Sequence, residues 1–403
     1  MAPTVSAVED EPKPVWQGEG VTVAEVLAAL NEIRYKFARA EAGDSELLHP
    51  RNCVMTLVGV APTDAHETIA KRTTKAIGMQ HPAQAIVIRE EAAVRGRHLD
   101  AWISTDVHRP ETLCAVECEL ITLHVRGRAA DHLGGLLDPL LVGGVPTYLW
   151  WLGTPPFGKR EMFDALGVCD GLVVDSSHFE EPYHAFNGMS RLLRVAHHRL
   201  GLADLQWARL RPWRESVAQF FTPADRRPFL AGISEVGIDY AGEGRGNRIA
   251  AALVAGWMAS GLGWKLRRAT AGTGGVVAAV YEAGGRSIDV QFRSLPKADR
   301  VSGEVCAVRV GGAAHGRSFR LSVMHDPPRR RGGAVPDMDR RRGDTNGVLL
   351  TVIEIGDGEP LRHVQQLEPE DVAALLLDVL STGTHDDVYN RSLVAASELM
   401  SKV

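Results

Sequence analysis

Apolar residues at Val23, Val26, Leu27, Leu30, Ile33 and Phe37 recur at helical spacing, which predicts a helix over Val21–Ala40 with one buried face. An apolar run from Cys53 to Ala61 predicts a strand. Asp64 is placed to cap a helix reaching about Gln80, and Ala85–Ile88 predicts another strand after the His81-Pro82 break. The same order returns downstream as a strand over Leu120–Arg126, a helix over about Ala129–Val142 and a strand over Val145–Trp151. Leu172–Asp175 predicts a further strand, followed by a helix from Pro182 to about Leu200. Continuous apolar strands alternating with helices imply a mostly parallel sheet covered on both faces.

Near Leu205–Arg211 the pattern changes, and Arg211-Pro212-Trp213-Arg214-Glu215 opens a new helix. Ile233–Tyr240 alternates like a strand and Ile249–Ser260 reads as a helix. Val276–Ala283, Ser287–Phe292, Val305–Val310 and Ser318–Met324 then follow as strands in series with glycine-rich turns. Strands in series predict an antiparallel sheet. Helices over Pro369–Leu380 and Asp386–Met400 close the chain. The expected architecture is a flexible tail over 1–20, an α/β domain with a mostly parallel sheet over 21–210, and an α+β domain with an antiparallel sheet over 211–403. Within the latter, 327–347 is poor in apolar residues and carries the triplets Arg329–Arg331 and Arg340–Arg342, so it reads as an exposed insertion.

Length agrees with two domains, since 403 residues exceed the size at which one core stops growing. A net charge of -5 supplies no overall field for drawing the chain to nucleic acid or anionic lipid. Met1–Pro14 carries acids and prolines where a secretory signal needs a basic start and an apolar stretch. The most apolar region, Gly134–Leu152, is broken by Asp138, Pro139 and Pro146, so it reads as core and not as a membrane span. Five cysteines scattered along the chain fit reduced thiols in a cytosol, not a secreted disulfide framework. These features predict a cytoplasmic protein without a membrane or nucleic-acid partner.

Three clusters carry candidate chemistry. Gly242, Gly244 and Gly246 lie between a strand and a helix, where backbone N–H groups are able to hold a phosphate. Their spacing misses the dinucleotide fingerprint, and no Lys-Ser/Thr follows as in a P-loop. Arg267 and Arg268 stand about where such a fold contacts a ribose phosphate, and equally fit a surface strand. Cys114 and Cys118 are a candidate redox pair: four positions apart they meet on a helix face but are too far apart along a strand. No second ligand pair accompanies them, so no metal is expected. Asp175-Ser176-Ser177-His178 contains the residue types of a nucleophile, base and orienter, but adjacent residues rarely converge, and a strand end whose side chains cap the next element fits better. No catalytic residue and no cofactor is assigned.

The segment from Pro146 to Gly158 stands apart. Trp150 and Trp151 point to opposite faces of a strand, which then runs into a Pro-Pro-Phe loop at its carboxyl end, the edge at which open α/β sheets bind ligands and partners. Pro-Thr-Tyr-Leu-Trp-Trp-Leu-Gly-Thr-Pro-Pro-Phe closely resembles the signature of the OpcA family, the glucose-6-phosphate dehydrogenase assembly proteins of cyanobacteria and actinobacteria. Further stretches match in order: Cys118–Leu123, Val174–Ser177 with Phe179, Arg209–Glu215, and Ala255–Ser260 with Leu262-Gly263-Trp264. The resemblance covers roughly Leu27–Met324; the glycine loop and the arginine-rich insertion lie outside its motifs.

The resemblance implies a non-catalytic subunit that binds glucose-6-phosphate dehydrogenase, promotes its active oligomer and so supplies NADPH through the oxidative pentose phosphate pathway. Rigid aromatics, prolines and arginine make preorganised contacts, so Trp150, Trp151, Pro155, Pro156, Phe157, Trp213 and Arg214 are the expected partner-binding residues. The alternative is a phosphosugar- or dinucleotide-binding enzyme or sensor that uses the Gly242–Gly246 loop.

Overall fold

The structure, a computed structural model, describes residues 14–42, 53–91, 96–108, 116–196, 199–243, 246–297, 300–326, 347–367 and 371–403. The arginine triplets, Cys114 and Gly244 fall outside them. Packing divides the chain into two compact units between Val174 and Asp175, upstream of the change in pattern near position 210.

The first unit contains β1 (Trp16–Gly18), α1 (Val23–Ala42), β2 (Met55–Ala61), α2 (Asp64–Gly78), β3 (Ala83–Glu91), β4 (Arg97–His108) and β5 (Val116–Gly127). It continues with α3 (Leu133–Leu137), β6 (Thr147–Trp151), α4 (Arg160–Leu166) and β7 (Gly171–Val174). The strand order is β1-β4-β5-β3-β2-β6-β7. From β5 to β7 every neighbour is parallel, as the apolar runs predict. β4 and β1 add an antiparallel edge. All of β2 is buried, the mark of a strand covered on both faces.

Register shows how that cover is arranged. Thr56, Gln84 and Glu119 are neighbours on one face. There Arg34 of α1 holds Glu119 through two 2.8 Å bonds, and Gln84 donates to the Leu140 carbonyl. The opposite face carries Gly59, where a Cβ would stand 3.4 Å from Ala70 of α2. Thr63, not Asp64, caps α2: its hydroxyl accepts from the His66 N–H, and Asp64 is the first helical residue. The helix expected over 129–142 is broken into short turns around α3. Pro139 cannot continue a helix, and Gly134 is pressed so close to the Asp164 carbonyl of α4 that a Cβ would lie 2.3 Å from it.

The second unit begins with α5 (Pro182–Ala196), β8 (Gly201–Asp204), α6 (Leu205–Arg209), α7 (Arg211–Phe221), α8 (Phe229–Gly232), β9 (Ile233–Ala241) and α9 (Ile249–Leu262). It continues with β10 (Lys265–Ala271), β11 (Val277–Ala283), β12 (Arg286–Leu295), β13 (Val305–Ala314), β14 (Arg317–Asp326), β15 (Val348–Ile355), β16 (Leu361–Gln366), α10 (Val372–Thr382) and α11 (Asp387–Met400). Its sheet runs β10-β11-β12-β9-β13-β14-β15-β16, antiparallel except for the pair β9 and β12. Asp239 on β9 is buried between Arg293 and Arg309 of the flanking strands, at 2.8 and 2.6 Å. Helix α9 is apolar around its whole circumference, which is stable only for a buried helix, and its residues Ile249–Gly256 are buried. At Gly256 it approaches α11 so closely that a Cβ would stand 2.3 Å from the Ser392 carbonyl. Phe220, Phe221 and Phe229 of α7 and α8 pack on Phe319 of β14, with Phe220 stacked at 5.3 Å. Among the described residues no helix is long and apolar enough to cross a membrane.

Candidate functional site

The tryptophan segment is the first place to look. In β6, Trp150 lies opposite Gly59 and therefore on the α2 face, while Trp151 lies opposite Val60 on the face carrying Thr56 and Gln84. Each face is covered, and each ring is only 2% exposed. Pro155 and Trp213 are buried as well. The expectation that these four touch a partner is corrected: an interior ring presents no area to another protein. Pro156, Phe157 and Arg214 are partly exposed. The turn ahead of the prolines is closed by Gly153, with a positive φ of 74° and the His66 ring 3.1 Å from where a Cβ would be, a position suited to glycine alone.

In the second unit the Asp175–His178 turn does bring its side chains together. Asp175 accepts from the Ser177 N–H at 3.2 Å and from its hydroxyl at 2.6 Å. His178 meets both neighbours through the same atom: Nδ1 lies 3.0 Å from Ser177 Oγ and 3.1 Å from Asp175 Oδ2. A serine triad needs the hydroxyl on one ring nitrogen and the carboxylate on the other, so that a proton taken on one side is stabilised from the far side. This arrangement caps a turn, as the sequence predicts. Arg209 completes it with two bonds to Asp175, at 2.7 and 2.8 Å. Burial alone would raise the Asp175 carboxyl, but the His178 hydrogen bond and the Arg209 charge outweigh it and hold the group well below the usual carboxylate range.

A second carboxylate beside this turn behaves in the opposite way. Asp204, closing β8, accepts from Ser176 N–H at 3.0 Å and Ser176 Oγ at 2.6 Å, and also from Gln206 N–H at 3.0 Å. The Tyr389 hydroxyl of α11 approaches at 3.4 Å. Burial dominates these bonds and pushes the Asp204 carboxyl up to about 6. Sequence reading assigned no role to Asp204, Arg209 or Tyr389. The available signal was an aspartate inside the apolar run Leu202–Leu205.

The glycine loop has a structural reading. Gly242 has φ +147°, and Cβ atoms at Gly242 and Gly246 would stand 3.3 and 2.9 Å from Ser302 Oγ. Asn247 accepts from the Ile249 N–H at the start of α9 and donates to the Ser176 carbonyl at 3.1 Å. The first helical donor is thus taken by the protein itself. Of the candidate redox pair, Cys118 is buried within β5 with its Sγ against Gly78. Cys114 is not among the described residues. Burial pushes the thiols of Cys169 to about 12 and Cys306 to about 11, so neither is a thiolate near neutral pH. Among the described residues no group of three or more His, Cys, Asp or Glu side chains is placed to hold a metal.

Fold and site define a two-unit protein, α/β then α+β, in which the polar clusters chosen from sequence tie turns and helix starts into the core. Two family models match it in order: the glucose-6-phosphate dehydrogenase subunit N-terminal domain over residues 74–191 and the corresponding C-terminal domain over 200–393. Together they span well over half of the chain, which belongs to the OpcA family. An OxPP cycle protein OpcA of Nostoc punctiforme is 30% identical over 250 residues, 61% of this chain and 49% of that protein. One of Synechocystis is 30% identical over 214 residues, 51% of this chain and 42% of that protein. The chain thus matches about half, or less, of the length of these curated relatives. Among solved structures, the MviM dehydrogenase of Clostridium difficile aligns with 86% of this chain and 97% of its own at TM-score 0.41 and 9% identity. The WlbA dehydrogenase of Thermus thermophilus aligns with 86% and 94% at TM-score 0.38 and 14% identity. Likeness at that level bears on neither chemistry nor substrate.

Proposed function

We propose that the chain is a non-catalytic cytoplasmic subunit that binds glucose-6-phosphate dehydrogenase, favours its active oligomer and raises its activity in the oxidative pentose phosphate pathway. The observation that carries this reading is the ordered match of two glucose-6-phosphate dehydrogenase subunit domains, one after the other along the chain. Activation requires that the chain bind the active state of the enzyme more tightly than the inactive one, because only differential affinity moves such an equilibrium. Pro156, Phe157 and Arg214 remain the proposed contacts, being the chosen residues that retain exposed surface.

The test mixes the chain with the dehydrogenase of its own source. Co-elution as a larger species, with a lowered substrate requirement or a raised maximal rate, is the expected result. Absence of both a complex and a rate change, in reducing and in oxidising buffer alike, excludes the proposal. Saturable binding of NADPH or glucose 6-phosphate to the isolated chain would instead favour the alternative of a phosphosugar or dinucleotide sensor.

A further inference from the structure

At the start of α9 the hydrogen-bond donors of the second unit outrun their acceptors. Arg248 stands at the N-cap, the position from which a side-chain oxygen ordinarily reaches forward to the second or third helical N–H. An arginine has only donors to offer there. Asn247 takes the Ile249 N–H at 2.9 Å, but among the described residues nothing accepts from the N–H groups of Ala250 and Ala251. Both residues are buried, at 3% and 0% exposure. Buried backbone donors are almost always paired.

The Arg248 side chain deepens the imbalance. The residue is 3% exposed, and among the described residues its guanidinium has neither an ion pair nor a hydrogen bond. It lies 6.0 Å from the centroid of the Tyr183 ring, whose hydroxyl donates to the Gly246 carbonyl at 2.9 Å, so it is held against the loop that enters the helix. Its Nε is sealed in the protein, whereas the two Nη groups are not. Nearby carboxylates do not compensate. Asp175 is held by Arg209 and His178, and Asp204 by Ser176 and Gln206. Glu180, Glu181 and Glu243 are exposed, and none of them pairs with Arg248.

An arginine stays charged at any working pH, and a cation beside the positive end of a helix dipole is repelled. A buried charge is tolerated when an opposite charge and hydrogen bonds meet it. An anion with several acceptor oxygens supplies both at once. The idle donors come from two directions, the N–H pair along the helix axis and the Nη pair from the guanidinium edge. That set suits the tetrahedral oxygens of a phosphate better than the planar two of a carboxylate.

We propose that the start of α9 binds a phosphate group, with the Ala250 and Ala251 N–H groups and the Arg248 Nη groups as its donors. The inference goes beyond the assembly reading and stands without it.

The test follows thermal unfolding of the intact chain in inorganic phosphate and in glycerol 3-phosphate, with chloride at matched ionic strength as control. The expected result is a saturable rise of roughly 2–8 °C. A rise in inorganic phosphate makes the free ion sufficient, and a rise in glycerol 3-phosphate alone makes the occupant a phosphate ester. Arg248→Met loses an unpaired buried charge and should fold firmly without phosphate, yet show no rise with it. If Arg248→Met does not fold, hydrogen exchange of the native chain decides, since bound phosphate should slow the Ala250 and Ala251 amides by about tenfold or more. Unchanged exchange at those two amides overturns the proposal. So does a native chain that responds to both phosphates no more than to chloride, or an equal response in Arg248→Met.

Discussion

Trp151 is 2% exposed and its indole N–H has no acceptor among the described residues, so packing is what holds the ring there. Trp151→Ala should open a large cavity and cost about 3–5 kcal/mol, read as a lower denaturant midpoint of the isolated chain. A variant with native stability that failed to bind the dehydrogenase would return Trp151 to the partner surface. The Asp175–Arg209 pair makes a different prediction. Its carboxyl sits well below its unfolded value, so its stabilisation is in place above about pH 4 and is lost progressively as pH falls below that value toward its own depressed pKa. Asp204, raised to about 6, has the opposite sign: its contribution is full below about pH 4 and declines as pH rises through about 6. Arg209→Met strands a mostly buried carboxylate and should cost about 3–5 kcal/mol near neutrality. Its deficit should shrink in acid, measured by unfolding free energy against pH.

Among elements, α9 and α11 touch at Gly256, where an added Cβ would meet the Ser392 carbonyl backbone and not a movable side chain. Gly256→Ala therefore has to separate two helices, and a loss of about 1–3 kcal/mol is expected, seen as a lower melting temperature. An unchanged value would show that the two helices part freely. The same scale explains what sequence made legible. β2, β6 and β13 are largely buried and apolar, so their runs announce them, while β9 shows itself by alternation. β1, β4 and β16 lie at or near sheet edges, and their mixed residues, such as Leu361-Arg362-His363-Val364, make sense only beside a neighbouring strand. β15 is richer in β-branched residues, and its apolar signal follows directly on the arginine-rich stretch. The site was less legible than the fold. Arg209 finds Asp175 across 34 positions of chain, a pairing that no local pattern encodes, while the capping role of Asp175 is local and was visible.

At the scale of the whole molecule, the family match runs through both units, so the proposed action on the dehydrogenase belongs to the full chain. Titrating the dehydrogenase with intact chain should give an activity increase that saturates at a fixed ratio; a response that keeps rising without limit would indicate nonspecific crowding. The burial of Trp150 and Trp151 has a consequence for a living cell. A lesion in that strand would act on supply and not on recognition: fewer copies would survive proteolytic triage, and each survivor would work normally. Under the proposed function, the resulting loss of dehydrogenase activity would be cured by making more of the altered chain, a remedy that would do nothing for a damaged docking surface.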